Sequence, residues 1–443
     1  MDASGRTRAQ IAKFSARDAD AFEAWETWLG RLGALLGPLL GHIPPRLGSH
    51  ALADLVKQLG LAWKLREVDD KLAADVTRLM TMSVADLLDD HFESSALKGT
   101  LSVSGIIGTW AGPRSPGTAY VMAHHKIGNV GEGEMGSWGF PEGGMGGVTQ
   151  AMKRAAESFG ATIRTNAPVA KILVHGGRAT GVALEGSGEE IFADTVVTTT
   201  HPKIAFLHHV DRKHLPDDFV TDIKRWKTRS GVVKINLALS ELPNFTADPC
   251  EGMGEHHTGS VEMAPSIEYM EEAFLEARAG RPATRPFSDG VIPTTWDKTL
   301  APEGTHIMSL FSQWVPESWA EEPHTEELEA YADRMVDCYD EVAPNFKKSI
   351  LHRDVVGPYE MEQEYGLIGG NIFHGELSLE QLFTMRPAPG YADYRTPIKG
   401  LYNGSSATHA GGGVCGIPGW QAVRAALADK KSNEGVAGKL RAR

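Results

Sequence analysis

The chain has 443 residues, 42% hydrophobic and 23% charged, with a formal net charge of −13 and three cysteines. That length allows two or three domains with buried cores, and the acidic balance argues against a nucleic-acid partner, whose phosphates it would repel. No stretch approaches the roughly 18 uninterrupted apolar residues that a membrane-spanning helix needs. Met1 to Asp20 mixes Arg, Lys and Asp without an apolar core, so it reads as neither a secretory signal nor an organelle presequence. Cys250, Cys338 and Cys415 form no CxxC pair; neither a zinc knuckle nor a redox disulfide is expected, and a reducing cytoplasm is the implied compartment.

The front of the chain reads as helical. Ser15-Ala16-Arg17-Asp18 resembles a capping box, and Phe22, Trp25, Leu29, Leu32 and Leu36 then share one helical face. Pro38 and the Pro44-Pro45 pair close that segment. Further helices are predicted at Ala51 to Leu59, at Asp70 to Met80 and, after Ser83, toward Phe92, followed by a loop-rich stretch from Gly105 to Gly147. Val148 to Phe159 reads as an amphipathic helix and Thr162 to Arg164 as a strand. Val169 to Val174, Ala179 to Leu184 and Glu190 to Phe192, separated by glycine pairs, read as an antiparallel meander. Asp194 to Thr200 is a buried-type strand. Alternation at Val233, Ile235, Leu237 and Leu239 opens a second α+β region with a strand at His306 to Trp314 and a helix at Glu326 to Val342. The tail after Asp429 is polar and expected to fray.

The densest signal lies near the C-terminus. An apolar run from Ile398 to Tyr402 reads as a strand entering the glycine-rich segment Gly404 to Gly419. Pro418 then opens a helix with Trp420, Val423 and Leu427 on one face. A loop without side chains lets backbone N–H groups approach a ligand, and the helix behind it adds partial positive charge. Such a site suits an electron-rich, partly anionic group, of which a reduced flavin ring is one. Cys415 beside it is either a reactive thiol or a small residue that fits.

Other motifs carry less. Gly131 to Gly136 matches the bare pattern G-x-G-x-x-G, but Glu132 and Glu134 would repel a pyrophosphate and no helix pattern follows. Gly411 to Gly416 matches it too, without room for a following βαβ unit. The adjacent histidines His124-His125, His208-His209 and His256-His257 should diverge by about 100° on a helix or point to opposite faces of a strand, so no metal site is expected. There is no G-x-S-x-G elbow and no Walker loop.

Taken together, Gly105-Ile106-Ile107-Gly108-Thr109, Gly112 to Tyr120, Trp138-Gly139-Phe140 with Gly143 to Gly146, Gly369 to His374 and Gly404 to Gly419 resemble the phytoene-desaturase-like branch of FAD-dependent oxidoreductases. Within it, the similarity is to the pyridine nucleotide-disulphide oxidoreductase domain-containing protein 2 family, from about Ile11 to about Leu427. The resemblance implies an α/β (α+β overall) fold: an incomplete, discontinuous FAD-binding Rossmann-type domain with a β-meander, plus a mixed-sheet and helical substrate domain. Residues 1–130 and 211–394 would form the substrate domain, and 131–210 and 395–443 the FAD-binding segments. It places FAD near Val169, Thr199, Gly404, Ser405, Gly412, Gly413, Val414, Cys415 and Gly416. No catalytic side chain is assigned, because the flavin itself takes the hydride. Tyr365, His374, His409 and Trp420 are pocket candidates or structural residues.

The family's N-terminal βαβ unit, with its dinucleotide fingerprint, precedes the region matched here. Three accounts stay open: the start lies too far downstream, a separate chain supplies the unit, or FAD is not bound in the usual way. The expected function is oxidation or isomerisation of an apolar polyene or lipid-like substrate, with a homodimer allowed. The alternative is a non-catalytic scaffold or interaction protein that has lost FAD binding.

Overall fold

The computed structural model describes residues 3–46, 49, 52–65, 68–128, 139–413 and 415–441. The described front of the chain is helical: α1 (Ala3–Ile11), α2 (Ala16–Leu40), α3 (Leu52–Leu65), α4 (Asp70–Thr81), α5 (Val84–Asp89), α6 (Ser95–Ser102) and α7 (Thr118–Lys126). Ser15 caps α2 as its spacing predicts, accepting from Asp18 N–H at 3.1 Å, and Ser83 caps α5 through Asp86 N–H at 3.0 Å. Trp25, Leu29, Leu32 and Leu36 form the buried stripe of α2 and pack with Leu79, Val84, Leu88 and Met122. The buried Asp18 accepts from the backbone N–H of Glu93 (3.0 and 3.2 Å) and Ser94 (2.7 Å), tying the start of α2 to that of α6.

Two expectations change here. Pro38 does not end α2; it sits in the last turn, and the helix reaches Leu40 with Gly41 as its C-cap. Within the stretch expected to be loop-rich, α7 forms because its six residues Thr118 to Ala123 are all buried, and that packing outweighs the glycines and prolines around it.

Next come α8 (Gly144–Ser158), β1 (Val169–His175), β2 (Arg178–Leu184), β3 (Glu190–Phe192) and β4 (Val196–Thr198). The first three strands form the expected antiparallel meander. Thr162 to Arg164 stay outside any sheet: no strand among the described residues pairs with them, and Arg164 meets Glu189 at 2.9 Å instead. After α9 (Pro202–Ile204) and α10 (Asp217–Arg225) the chain runs through β5 (Val232–Leu239), β6 (Ser260–Met263), α11 (Ile267–Arg278), β7 (Phe287–Val291) and β8 (His306–Gln313). It continues through α12 (Thr325–Val342), α13 (Phe346–Ser349), β9 (Ile350–Val356), α14 (Pro358–Tyr365), β10 (Leu401–Asn403) and α15 (Ile417–Arg441).

A five-stranded sheet has the order β6-β7-β8-β5-β9, with every adjacent pair antiparallel. The expected mixed sheet is corrected on this point. β8 and β9 do share a direction across the α12 crossover, but β5 lies between them. One face of this sheet carries the largest core, where Val233, Ile235 and Leu237 meet Met270 and Phe274 of α11 and Tyr331, Met335 and Tyr339 of α12. β4 and β10, about 200 residues apart, pair in parallel through Leu401–Val196, Tyr402–Val197 and Asn403–Thr198. The tail expected to fray after Asp429 continues α15 to Arg441.

Candidate functional site

The parallel pair β4–β10 delivers two loops to the same end of its strands, the position at which open α/β sheets hold ligands. Gly404 N–H donates to Thr198 O at 2.8 Å, which brings Thr199, Gly404 and Ser405 together. Gly404 is also the point of closest approach to α15: a Cβ there would lie 3.2 Å from Gly419 Cα and from Ala422 Cβ. Beyond it, Ser405 N–H donates to Asn403 Oδ1 (3.0 Å) and Thr408 N–H to Ser405 O (3.0 Å), so the loop starts as a fixed turn. It then opens out. Cys415 and Gly416 are exposed, and a side chain at Gly413 or Gly416 would meet nothing within 4 Å. Asn403 is 2% exposed, yet its Nδ2 donor has no protein partner.

Behind the loop lies a buried polar cluster. The Phe373 ring is clamped between two glycines: a Cβ at Gly108 would lie 2.4 Å from it and one at Gly412 2.9 Å. Asn371 shapes this segment, accepting from Phe373 N–H (3.0 Å) and Gly375 N–H (3.1 Å) while donating to Arg229 O (3.0 Å). Arg386, 1% exposed, points its guanidinium at carbonyls: Phe373 O at 2.8 Å, Ser406 O at 3.0 Å, and Glu376, Gly375 and Gln381 O at 3.4 Å. It also lies 5.2 Å from the ring centroid of Trp226. Burial lowers its pKa to about 10.

Four histidines surround this cation, and burial is the main reason each is neutral. His124 and His201 are pushed down to about 3, and His374 and His409 to about 4, with Arg386 adding to the effect in every case. The His201 and His374 rings are 5.4 Å apart. His124 Nδ1, His374 Nδ1 and Arg386 Nε are buried without hydrogen-bond partners. Unpartnered buried nitrogens at this density mark a place built for a ligand or ordered water.

A second polar feature crosses the five-stranded sheet. Register places Glu262 opposite Asp289, Asp289 opposite Phe311 and Phe311 opposite Lys234, one row on the face away from α11 and α12. Burial, then Asp289, raises the Glu262 carboxyl to about 8. Burial also raises Asp289 and lowers Lys234. Glu262 Oε2 and Asp289 Oδ1 have no partner. At neutral pH Glu262 is therefore a protonated acid.

The sequence profile described as "Flavin containing amine oxidoreductase" matches residues 44–354. The pyridine nucleotide-disulfide oxidoreductase domain-containing protein 2 of Rattus norvegicus is 38% identical over 437 residues, 96% of this chain and 75% of the relative. The chain belongs to this family. Prolycopene isomerase 2 of an Oncidium hybrid cultivar is 27% identical over 232 residues, covering 50% of this chain and 35% of that one. Among solved structures, an oxidoreductase from Methanosarcina mazei shares the fold at TM-score 0.52 and 18% identity, over 85% of this chain and 73% of its own. Putrescine oxidase bound to putrescine does so at TM-score 0.52 and 15% identity, over 92% and 76%. The architecture is thus a mixed α/β one with flavin amine oxidase-like neighbours.

Within the flavin-containing amine oxidoreductase frame, the sequence-predicted residues divide. Thr199, Gly404, Ser405, Gly412, Gly413, Cys415 and Gly416 come together on the β4–β10 end and its loop. Val169 opens the meander, at the far end from the tie between Ala179 N–H and Lys399 O (2.8 Å) that joins the meander to β10. Val414, Gly131 to Gly136 and Trp138 lie outside the described residues. His374 and His409 do join the buried cluster around Arg386, whereas Tyr365 and Trp420 are 65% and 57% exposed. Sequence reasoning missed His124, His201, Arg386 and the Glu262–Asp289–Lys234 row. Only Lys234 had a signal, a charge alternating with the buried aliphatics of the predicted strand from Val233 to Leu239.

Proposed function

We propose that this chain is an FAD-dependent oxidoreductase acting on an apolar, polyene- or lipid-like substrate. The observation that carries the reading is the parallel β4–β10 pair, which opens its glycine loop onto free space ahead of a 25-residue helix. The residues fit FAD. Asn403 offers an unpartnered buried donor, Gly413 and Gly416 leave room for close approach, and the α15 N-terminus favours anionic oxygens. Gly404, Ser405 and Thr199 would flank the cofactor, and Val169 would meet its adenine. Flavin, when bound, supplies the two-electron acceptor for oxidising a C–C bond or assisting its isomerisation.

The chain's own groups set the environment. Tyr120, Phe373 and Phe383 pack together as the apolar side of the buried polar cluster. Its histidines are uncharged at neutral pH, so each can orient a polar atom without holding a proton's charge. Glu262, protonated at neutral pH, can donate one hydrogen bond. The apolar substrate draws support from the likeness to proteins named prolycopene isomerases. Gly413→Leu and Gly416→Leu test the cofactor site by filling the open space, with Gly413→Ala and Gly416→Ala as controls for the strain any side chain meets at φ of +123° and +67°. Loss of flavin retention with an unchanged fold is expected, and unchanged binding in both would overturn the assignment.

A second reading, a non-catalytic interaction module, is favoured by the stripe Trp420, Val423 and Leu427 on α15, 57%, 46% and 54% exposed. Turnover of any substrate with stoichiometric flavin reduction would exclude it.

A further inference from the structure

The connection from β5 to β6 gathers three metal-ligating side chains far along the chain from the glycine loop. The ligating atoms of Cys250, His256 and His257 lie within 4.8 Å of one another. The expectation that neighbouring histidines diverge fails here for a local reason. Glu255 to Thr258 form a 3-10 turn, and the two rings meet at 4.1 Å between centroids, tilted by 49°. Each imidazole is oriented by a partner behind it. His256 Nδ1 faces Asp248 Oδ2 at 3.2 Å, leaving Nε2 toward Cys250 Sγ at 4.0 Å. His257 Nε2 donates to Pro243 O at 2.7 Å, leaving Nδ1, which now accepts from Gly254 N–H at 2.9 Å. A carboxylate or carbonyl behind the non-ligating nitrogen is how metal-binding histidines are normally held. Gly254 permits the approach: a Cβ there would lie 2.9 Å from Cys250 Sγ and 2.6 Å from His256 Cε1.

We propose that Cys250, His256 and His257 bind a zinc-class divalent cation through Sγ, Nε2 and Nδ1, clipping the β5–β6 connection. One thiolate and two imidazoles match the ligand preference of Zn2+, with water completing four-coordination. Binding releases the thiol proton to solvent and replaces the Gly254 hydrogen bond at His257 Nδ1. The metal is a staple for this connection and takes no part in flavin chemistry.

The test uses the full chain, stripped of metal and titrated with Co2+ as an optical probe. The expected result is one equivalent bound, with a thiolate-to-cobalt charge-transfer band and visible bands of tetrahedral intensity, displaced by Zn2+. Cys250→Ser should abolish the charge-transfer band, while Cys338→Ser and Cys415→Ser keep it. Asp248→Asn, a milder change that leaves all three ligands in place, should weaken affinity about 10-fold or more. Stoichiometric Zn2+ should also slow proteolytic cleavage within residues 240–259 of the wild type. Absence of stoichiometric binding, or a band that survives Cys250→Ser, would overturn the proposal.

Discussion

The Phe373 ring lies against the backbone of Gly412 so closely that a Cβ at that glycine would stand 2.9 Å from Phe373 Cδ1. Gly108 presses on the opposite side, where a Cβ would stand 2.4 Å away. Three glycine-rich segments, distant in sequence, are thereby fixed by one aromatic side chain. The prediction is that Gly108→Ala and Gly412→Ala each cost about 1–3 kcal/mol by overpacking. Gly108→Ala should be the worse, because its φ of +79° adds strain. Urea unfolding measures both. Phe373→Leu placed in the Gly412→Ala background should recover part of the loss, and purely additive losses would contradict the clamp.

The neutral histidines make stability depend on acid. His374 and His409 are lowered to about 4 by burial, against an ordinary value of about 6.5 in the unfolded chain. Below that ordinary value the unfolded state binds more protons, so stability is complete above pH ~6.5 and is lost as pH falls toward 4. Each group contributes on the order of a few kcal/mol. Melting curves should therefore show Tm falling through this window, and His374→Gln should fall less steeply than wild type. An identical slope would contradict a buried neutral His374.

Glu262 reverses the sign. Its pKa is raised to about 8, so the folded state holds a proton that the unfolded carboxyl has released. Stability from this group is full below the ordinary carboxylate value and declines as pH rises through 8. Glu262→Gln keeps the hydrogen-bonding shape without the charge, so it should remove that part of the decline in Tm between about pH 5 and 8. A steeper decline in the variant would contradict the protonated acid.

Asp18 accepts from two backbone N–H groups, Glu93 (shared between its two oxygens) and Ser94, and so joins α2 to α6. Asp18→Ala leaves the Glu93 and Ser94 N–H groups unsatisfied in a largely buried site. The expected cost is about 2–4 kcal/mol in urea unfolding. A loss below about 0.5 kcal/mol would show that water replaces the carboxylate there.

Much of this architecture was legible because periodicity and caps are local. Ser15, Ser83 and the α2 stripe from Trp25 to Leu36 appear where spacing places them, and so do the meander hairpins at Gly176-Gly177 and Gly186-Ser187-Gly188. α7 was hidden because its burial, set by packing on α2, α4 and α5, outweighs the flanking glycine and proline signals. Thr162 to Arg164 have a strand composition, but a strand needs a ladder partner. The buried cluster around Arg386 was least legible. Arg386 gains its role from carbonyls at Phe373, Gly375 and Ser406, and no local pattern around Arg386-Pro387 announces them.

The most direct measurement is flavin retention. The purified chain is incubated with FAD, free cofactor is removed, and the visible absorption spectrum is recorded beside that of Gly416→Leu. A flavin band retained in the wild type and lost in the variant, with circular dichroism unchanged, is the expected result. A folded wild-type protein that emerges colourless would contradict a flavin site built on the β4–β10 loop.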